Sequence, residues 1–140
     1  MERWVLYAFL SMFFAGFTAV IGKHGLSGIS SELGLTIRTI FVFIFVIAFA
    51  AMFVSPAEVR NLQRSNYLWL GFSGLAAALS WIFYYKALKV GDVATVALID
   101  KGSVVIAILL AWLILKEAVT LRVVIGATLI VAGLLVIAKK

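Results

Sequence analysis

The feature that most constrains this chain is Val93–Leu115, an apolar run of about 23 residues, long enough to cross a bilayer, with Asp100 and Lys101 inside it. On insertion scales an Asp or a Lys at the centre of a membrane helix stands about 2.5 to 3.5 kcal/mol uphill, so the couple demands partners or water. Consecutive residues of a helix point about 100° apart, which predicts that Asp100 and Lys101 turn to different neighbours. Counted from Val93, Asp100 lies about 10 Å into the span, short of a midplane at about 15 Å. At that depth the two charges are either a polar site in a transport pathway or a structural pair, with Lys101 snorkelling to the near interface.

The rest of the chain repeats the demand for a bilayer. Of 140 residues, 65% are hydrophobic and 13% charged, more apolar surface than a soluble domain of this size can bury. The expected fold is an all-α membrane protein, a single domain over 1–140 with five transmembrane helices at about 4–22, 35–54, 67–88, 93–115 and 121–138. A net charge of +6 would suggest nucleic acid in a soluble protein. Here the basic residues end apolar runs, where they anchor helices and meet anionic headgroups, so no nucleic-acid partner is expected. Cysteine is absent and His24 is the one histidine, which leaves no metal site and no cofactor to expect. The first apolar run stays as an anchor because four more spans follow it.

Taken in order, the first span carries Trp4 and Tyr7 for the interfacial belt and Thr18 to return its hydroxyl to the i−4 carbonyl. The segment 23–34 reads as a Gly- and Ser-rich loop without the strand and spacing of a phosphate cradle. Arg38 stands about one turn inside the second span and either snorkels outward or faces a shared cavity. Ser55-Pro56-Ala57-Glu58 has the form of a helix start: Ser as N-cap, Pro at the first helical position, Glu at the third. The short helix that follows lays Arg60 and Arg64 on the headgroups. In the third span Trp81 and Tyr85, four apart, share one face that either stacks on a ligand or fills a helix interface.

Gly91-Asp92 is a tight turn into the fourth span, with Asp92 as N-cap. Such a hairpin sets Asp100 level with Ile82 or Phe83, within reach of Lys86, the expected partner of Asp100, with Arg38 as the alternative. Thr120 is a plausible cap for the fifth span, whose Gly126 and Gly133 lie on one face and offer a surface for association or for packing within the chain. Lys139 and Lys140 close the chain as anchors. Arg3, Arg60, Arg64, Lys116 and Arg122 fall on one side of the membrane. Lys23, Arg38, Lys86, Lys89, Lys139 and Lys140 fall on the other. That bias sets no orientation, so both insertions are expected, and two opposed copies would form an inverted-topology pair.

Tyr84-Tyr85-Lys86-Ala87-Leu88, Val96-Ala97-Leu98-Ile99, Leu113 to Thr120 and Gly126 to Gly133 together give the chain a likeness along nearly its whole length. In these segments it resembles an EamA-type domain of the drug/metabolite transporter superfamily. The resemblance implies one half of a transporter whose full-length members join two five-span halves of opposite topology. It also implies carriage of a small metabolite, often an amino acid or a related compound. The chain is distantly similar to four-span small multidrug resistance proteins too, but Phe14-Ala15-Gly16 stands where those carry an acid, which argues against proton-coupled export of cationic drugs unless Asp100 holds the proton.

The expectation is therefore a non-enzymatic transporter in a prokaryotic plasma membrane. It would move a small polar, amino acid-like or anionic metabolite by alternating access, as an antiparallel homodimer or with a homologous half. Arg38, Lys86 and Lys101 would present positive charge, Asp100 would hold them or carry a proton, and Trp81 and Tyr85 would line the pocket. The competing expectation is a non-transporting membrane subunit that binds another protein through the Gly126 and Gly133 face.

Overall fold

Hydrocarbon offers a peptide amide no hydrogen-bond partner, so a chain this apolar must close its backbone hydrogen bonds within helices. The computed structural model describes residues 2–138, and all regular structure among them is helical; Lys139 and Lys140 lie outside the described residues. Four segments are long and apolar enough to cross a membrane: α1 (Arg3–Gly25), α2 (Ser31–Phe53), α4 (Arg64–Val90) and the run Val93–Leu115. The fifth apolar helix, α7 (Leu121–Ala138), is shorter, at 18 residues. Among the described residues, the only buried apolar side chains are Ala19, Leu26, Tyr85 and Leu88, and the large aromatic and aliphatic groups face outward. A molecule whose solvent is lipid has no reason to bury them.

Residues 21–90 form one compact unit. Here α2 begins four residues before the expected start of the second span, because Ser30 caps it: the Ser30 hydroxyl accepts from the Leu33 amide at 3.2 Å. The stretch read as loop therefore gives up its last residues to a helix. The Ser55 start behaves as its sequence demands. Ser55 and Glu58 exchange backbone-to-side-chain bonds of 3.3 and 2.9 Å in a capping box that opens the short helix α3 (Pro56–Arg60). That reversal returns α4 antiparallel along α2, and these two helices make the main packing of the unit.

The second compact unit consists of residues 1–20 and 91–140. Asp92 caps its first element, accepting from the Thr95 amide at 2.9 Å. The single helix expected over Val93–Leu115 is not continuous. It divides into α5 (Val93–Asp100), α6 (Ser103–Leu110) and a π-helical turn at Ala111–Leu115. At Lys101 and Gly102 the ladder tightens to i→i−3 bonds, with the Gly102 amide on the Ile99 carbonyl at 2.9 Å and the Val104 amide on the Lys101 carbonyl at 3.2 Å. At Gly102 a side chain would have no room, because α7 crowds the turn. A Cβ there would stand 2.9 Å from Leu134 Cδ1 and 3.0 Å from the Ile99 carbonyl oxygen. The run ends where Lys116 takes a left-handed conformation, φ 56°.

These glycine environments make a paired prediction. Gly102→Ala must push Leu134 aside and strain the tight turn, costing about 1 kcal/mol or more. Gly71→Ala in α4, with nothing within 4 Å of the added methyl, should hold or gain stability, by up to about 1 kcal/mol of helix propensity. Thermal unfolding in nonionic detergent, with the wild type alongside, checks both directions.

Candidate functional site

Antiparallel register brings the N-terminal third of α2 against the C-terminal third of α4. Arg38 is the eighth residue of α2, about 10 Å along its axis. Its guanidinium turns to the aromatic face of α4. The Arg38 Cζ lies 4.5 Å from the centroid of the Trp81 ring and 5.8 Å from that of Tyr85, within the range of cation–π attraction. The shared face of Trp81 and Tyr85 thus holds a cation of the protein itself. Arg38 Nη1 is buried and has no hydrogen-bond partner among the described residues. Guanidinium donors carry a fixed positive charge and normally find acceptors, and this one has none among the described residues.

Lys86 lies five residues beyond Trp81 on α4 and meets Glu32, Nζ to Oε1 at 3.6 Å, on exposed side chains. Within its own unit, then, Lys86 pairs with Glu32, where the sequence reading expects Asp100 as its partner. Asp100 instead stands 3.7 Å from Lys101, its sequence neighbour. Neighbours on a regular helix point apart, but α5 ends at Asp100, and Lys101 sits in the tightened turn where that geometry no longer holds. The structure thus joins Arg38, Trp81 and Tyr85 in one cluster, gives Lys86 to Glu32, and pairs Asp100 with Lys101 in the other unit.

Beside the cluster an open groove of about 500 Å³ runs between α2 and α4, lined by Leu35, Thr39, Phe43, Ala78, Trp81 and Ile82 among others. Trp81 belongs both to this wall and to the stack on Arg38. The Thr36 and Thr39 hydroxyls donate to the Glu32 and Leu35 carbonyls at 2.8 Å each, so they face the groove with their donors already used. The groove is apolar along its length and charged and aromatic at the end where Arg38 stacks on Trp81.

The end of the cluster is fastened by two lysines that cap each other's helices. Lys23 Nζ donates to the carbonyls of Leu88 (2.6 Å) and Lys89 (3.2 Å), and Lys89 Nζ donates to the carbonyl of Leu26 at 2.8 Å. Carbonyls at a helix C-terminus lack partners within the helix and carry its negative end, which is what an ammonium group satisfies. Leu88, fully buried, and Tyr85 lie beneath them, and the Tyr85 hydroxyl comes within 3.3 Å of where a Cβ on Gly22 would be.

Residues 2–139 match a family model described as the EamA-like transporter family. The chain belongs to that family. A protein of a Sinorhizobium species, named an uncharacterized transporter in the cobO 3′ region, is 36% identical over 137 residues, covering 98% of this chain and 97% of that protein. No solved structure matches the chain. Family membership and the apolar helices make this EamA chain a multi-pass integral membrane protein of a transporter family.

Sequence reading of the EamA chain missed three contributors to this arrangement. The Gly- and Ser-rich composition of 23–34 places Glu32 in a loop, although Ser30 just ahead of it is a helix-start signal. Lys23 and Lys89 were read as interfacial anchors, and their reciprocal contacts depend on two helix ends meeting in space. Lys23→Met and Lys89→Met should each lower thermal stability by about 1.5 to 3 kcal/mol, the size of a hydrogen bond from a charged donor. The double substitution should cost less than the two single losses added together, and unfolding midpoints of the four proteins in one detergent decide it.

Proposed function

We propose that this chain carries a small anionic or zwitterionic metabolite across the plasma membrane of a prokaryote, working by alternating access as an antiparallel pair with a second copy or a homologous half. The observation that carries the substrate class is Arg38, buried at Nη1 without a hydrogen-bond partner among the described residues and stacked on Trp81. A carboxylate that reaches it gains a charge-assisted hydrogen bond in a setting where water competes poorly. Trp81 would then hold the guanidinium from behind while the apolar groove takes the body of the substrate, with Tyr85 completing the aromatic seat. Lys86, paired with Glu32, lies toward the end of the helix pair. Asp100 and Lys101 stand at a helix break, the kind of interruption at which transporters hold charged cargo or coupling ions, and are the second candidate station.

A single copy presents this arrangement once. An inverted pair would present it toward each face of the membrane, which is how transporters built from opposed repeats alternate access. The open Gly126 and Gly133 side of α7, with nothing within 4 Å of an added Cβ, supports a close helix contact with another copy.

Counterflow in proteoliposomes tests the substrate class. Wild-type protein should exchange one or more members of a panel of radiolabelled organic acids and amino acids. Arg38→Gln should raise the KM for that compound about 10- to 100-fold, as loss of a charged hydrogen bond of about 1.5 to 3 kcal/mol requires. Selective movement of cations, unchanged in Arg38→Gln, contradicts the proposal. For the assembly, a single Cys at position 27 of this cysteine-free chain should be labelled by an impermeant thiol reagent on about half the molecules of intact cells; labelling from one side only would require an oppositely oriented homologous half.

A further inference from the structure

Two cations are spaced along the contact of α2 with α4, and they are differently matched. Toward the helix ends, Lys86 faces Glu32. Six residues on along α2, about 9 Å deeper, Arg38 faces Trp81, five residues back along α4. The inner cation has a donor without an acceptor among the described residues, whereas the outer one is neutralised by a carboxylate of the chain itself.

That outer pair is built to exchange. At 3.6 Å the Lys86 Nζ is beyond a good hydrogen bond from Glu32 Oε1, and 55% and 65% of the two side chains are exposed. Glu32 is held from elsewhere: the Ser31 hydroxyl donates to Oε2 at 2.9 Å, and the carboxylate lies in the first turn of α2, where the helix dipole favours it. Glu32 thus stays in place without Lys86, and Lys86, on a flexible stem with three donors, is free to turn to another acceptor.

We infer that Glu32 is a tethered competitor: it occupies Lys86 until an incoming anion displaces it, and in this way sets which anions reach Arg38 and how tightly. This rests on the reading of Arg38 as the anion site. A weak or diffuse anion does not displace a carboxylate held at high local concentration, whereas a compact carboxylate does, so the pair filters cargo before it reaches the stack. Glu32 is a specificity-setting residue by this account, because its contact is with the cation that the anion needs. The bland role, an acid that steadies the start of α2, makes no use of Lys86.

Iodide quenching of Trp81 fluorescence separates these roles with no substrate in hand. In detergent-purified protein carrying Trp4→Phe, Trp69→Phe and Trp112→Phe, Trp81 is the sole reporter, iodide the anionic probe and acrylamide the neutral control. Glu32→Gln should raise the iodide quenching constant about twofold or more with the acrylamide constant unchanged, and should do nothing in a Lys86→Gln background. Glu32→Asp keeps the charge but shortens the reach, and it should raise iodide quenching too. An equal rise from Glu32→Gln with and without Lys86, or no rise in Glu32→Asp, overturns the inference by reducing Glu32 to a general repulsive charge. Arg38→Gln reads the site itself. If it lowers iodide quenching while the Glu32 and Lys86 cycle shows no coupling, the competitor alone falls; if Arg38→Gln leaves iodide quenching unchanged, the anion site falls and the competitor with it.

Discussion

A guanidinium within an apolar helix must be held by something, and what holds Arg38 organises this half of the molecule. At the centre of a membrane helix an arginine stands about 2.5 to 3.5 kcal/mol uphill on insertion scales, and the long side chain usually escapes to the interface. Here it turns instead to the rings of Trp81 and Tyr85. Cation–π attraction in a desolvated setting returns about 2 kcal/mol, which offsets much of the cost without supplying an acceptor for every N–H. The remainder is visible as the buried Nη1, and a donor left in that state is the chemical reason to expect an anion.

For the stack to persist, α2 and α4 must keep their register at the end where they meet. The two reciprocal lysine contacts fix the end of α4 against the end of α1 and the turn that leads into α2: Lys23 Nζ donates to the Leu88 and Lys89 carbonyls, and Lys89 Nζ to that of Leu26. Leu88 is buried and Tyr85 packs beside Gly22, while the groove lined by Trp81 is open. The unit containing α5, α6 and α7 is arranged on the opposite principle. Its broken span, with Gly102 pressed by Leu134 and a π-helical turn at Ala111–Leu115, has irregular backbone where the other long helices are regular. Mid-helix tightening of this kind marks hinges and functional sites in other proteins, and the charges Asp100 and Lys101 sit in it.

What the sequence disclosed follows the range of the physics involved. Apolar length is a local property, and it delivered the helical membrane class; the caps at Ser55 and Asp92 are local too, and both form. The common face of Trp81 and Tyr85 followed from helical spacing, although its occupant, Arg38, did not. Everything set by contact between distant residues was out of reach. The crowding of Gly102 by Leu134, the pairing of Lys86 with Glu32, and the contacts of Lys23 and Lys89, which required two helix ends to meet, are all of this kind. Glu32 is the instructive miss, because Ser30 offered a start signal that the glycine- and serine-rich composition of 23–34 obscured.

The central claim is that Arg38 resides against Trp81 inside the membrane. Solid-state NMR of protein in lipid bilayers, with ¹³C-labelled arginine and tryptophan, reads it directly. Of the five arginines, one Cζ resonance should be shifted by a ring current and share a cross-peak with a tryptophan ring, and both features should vanish in Trp81→Leu. Five arginine signals at water-exposed positions, with no tryptophan cross-peak removed by that substitution, would show that Arg38 snorkels to the interface and would contradict the account.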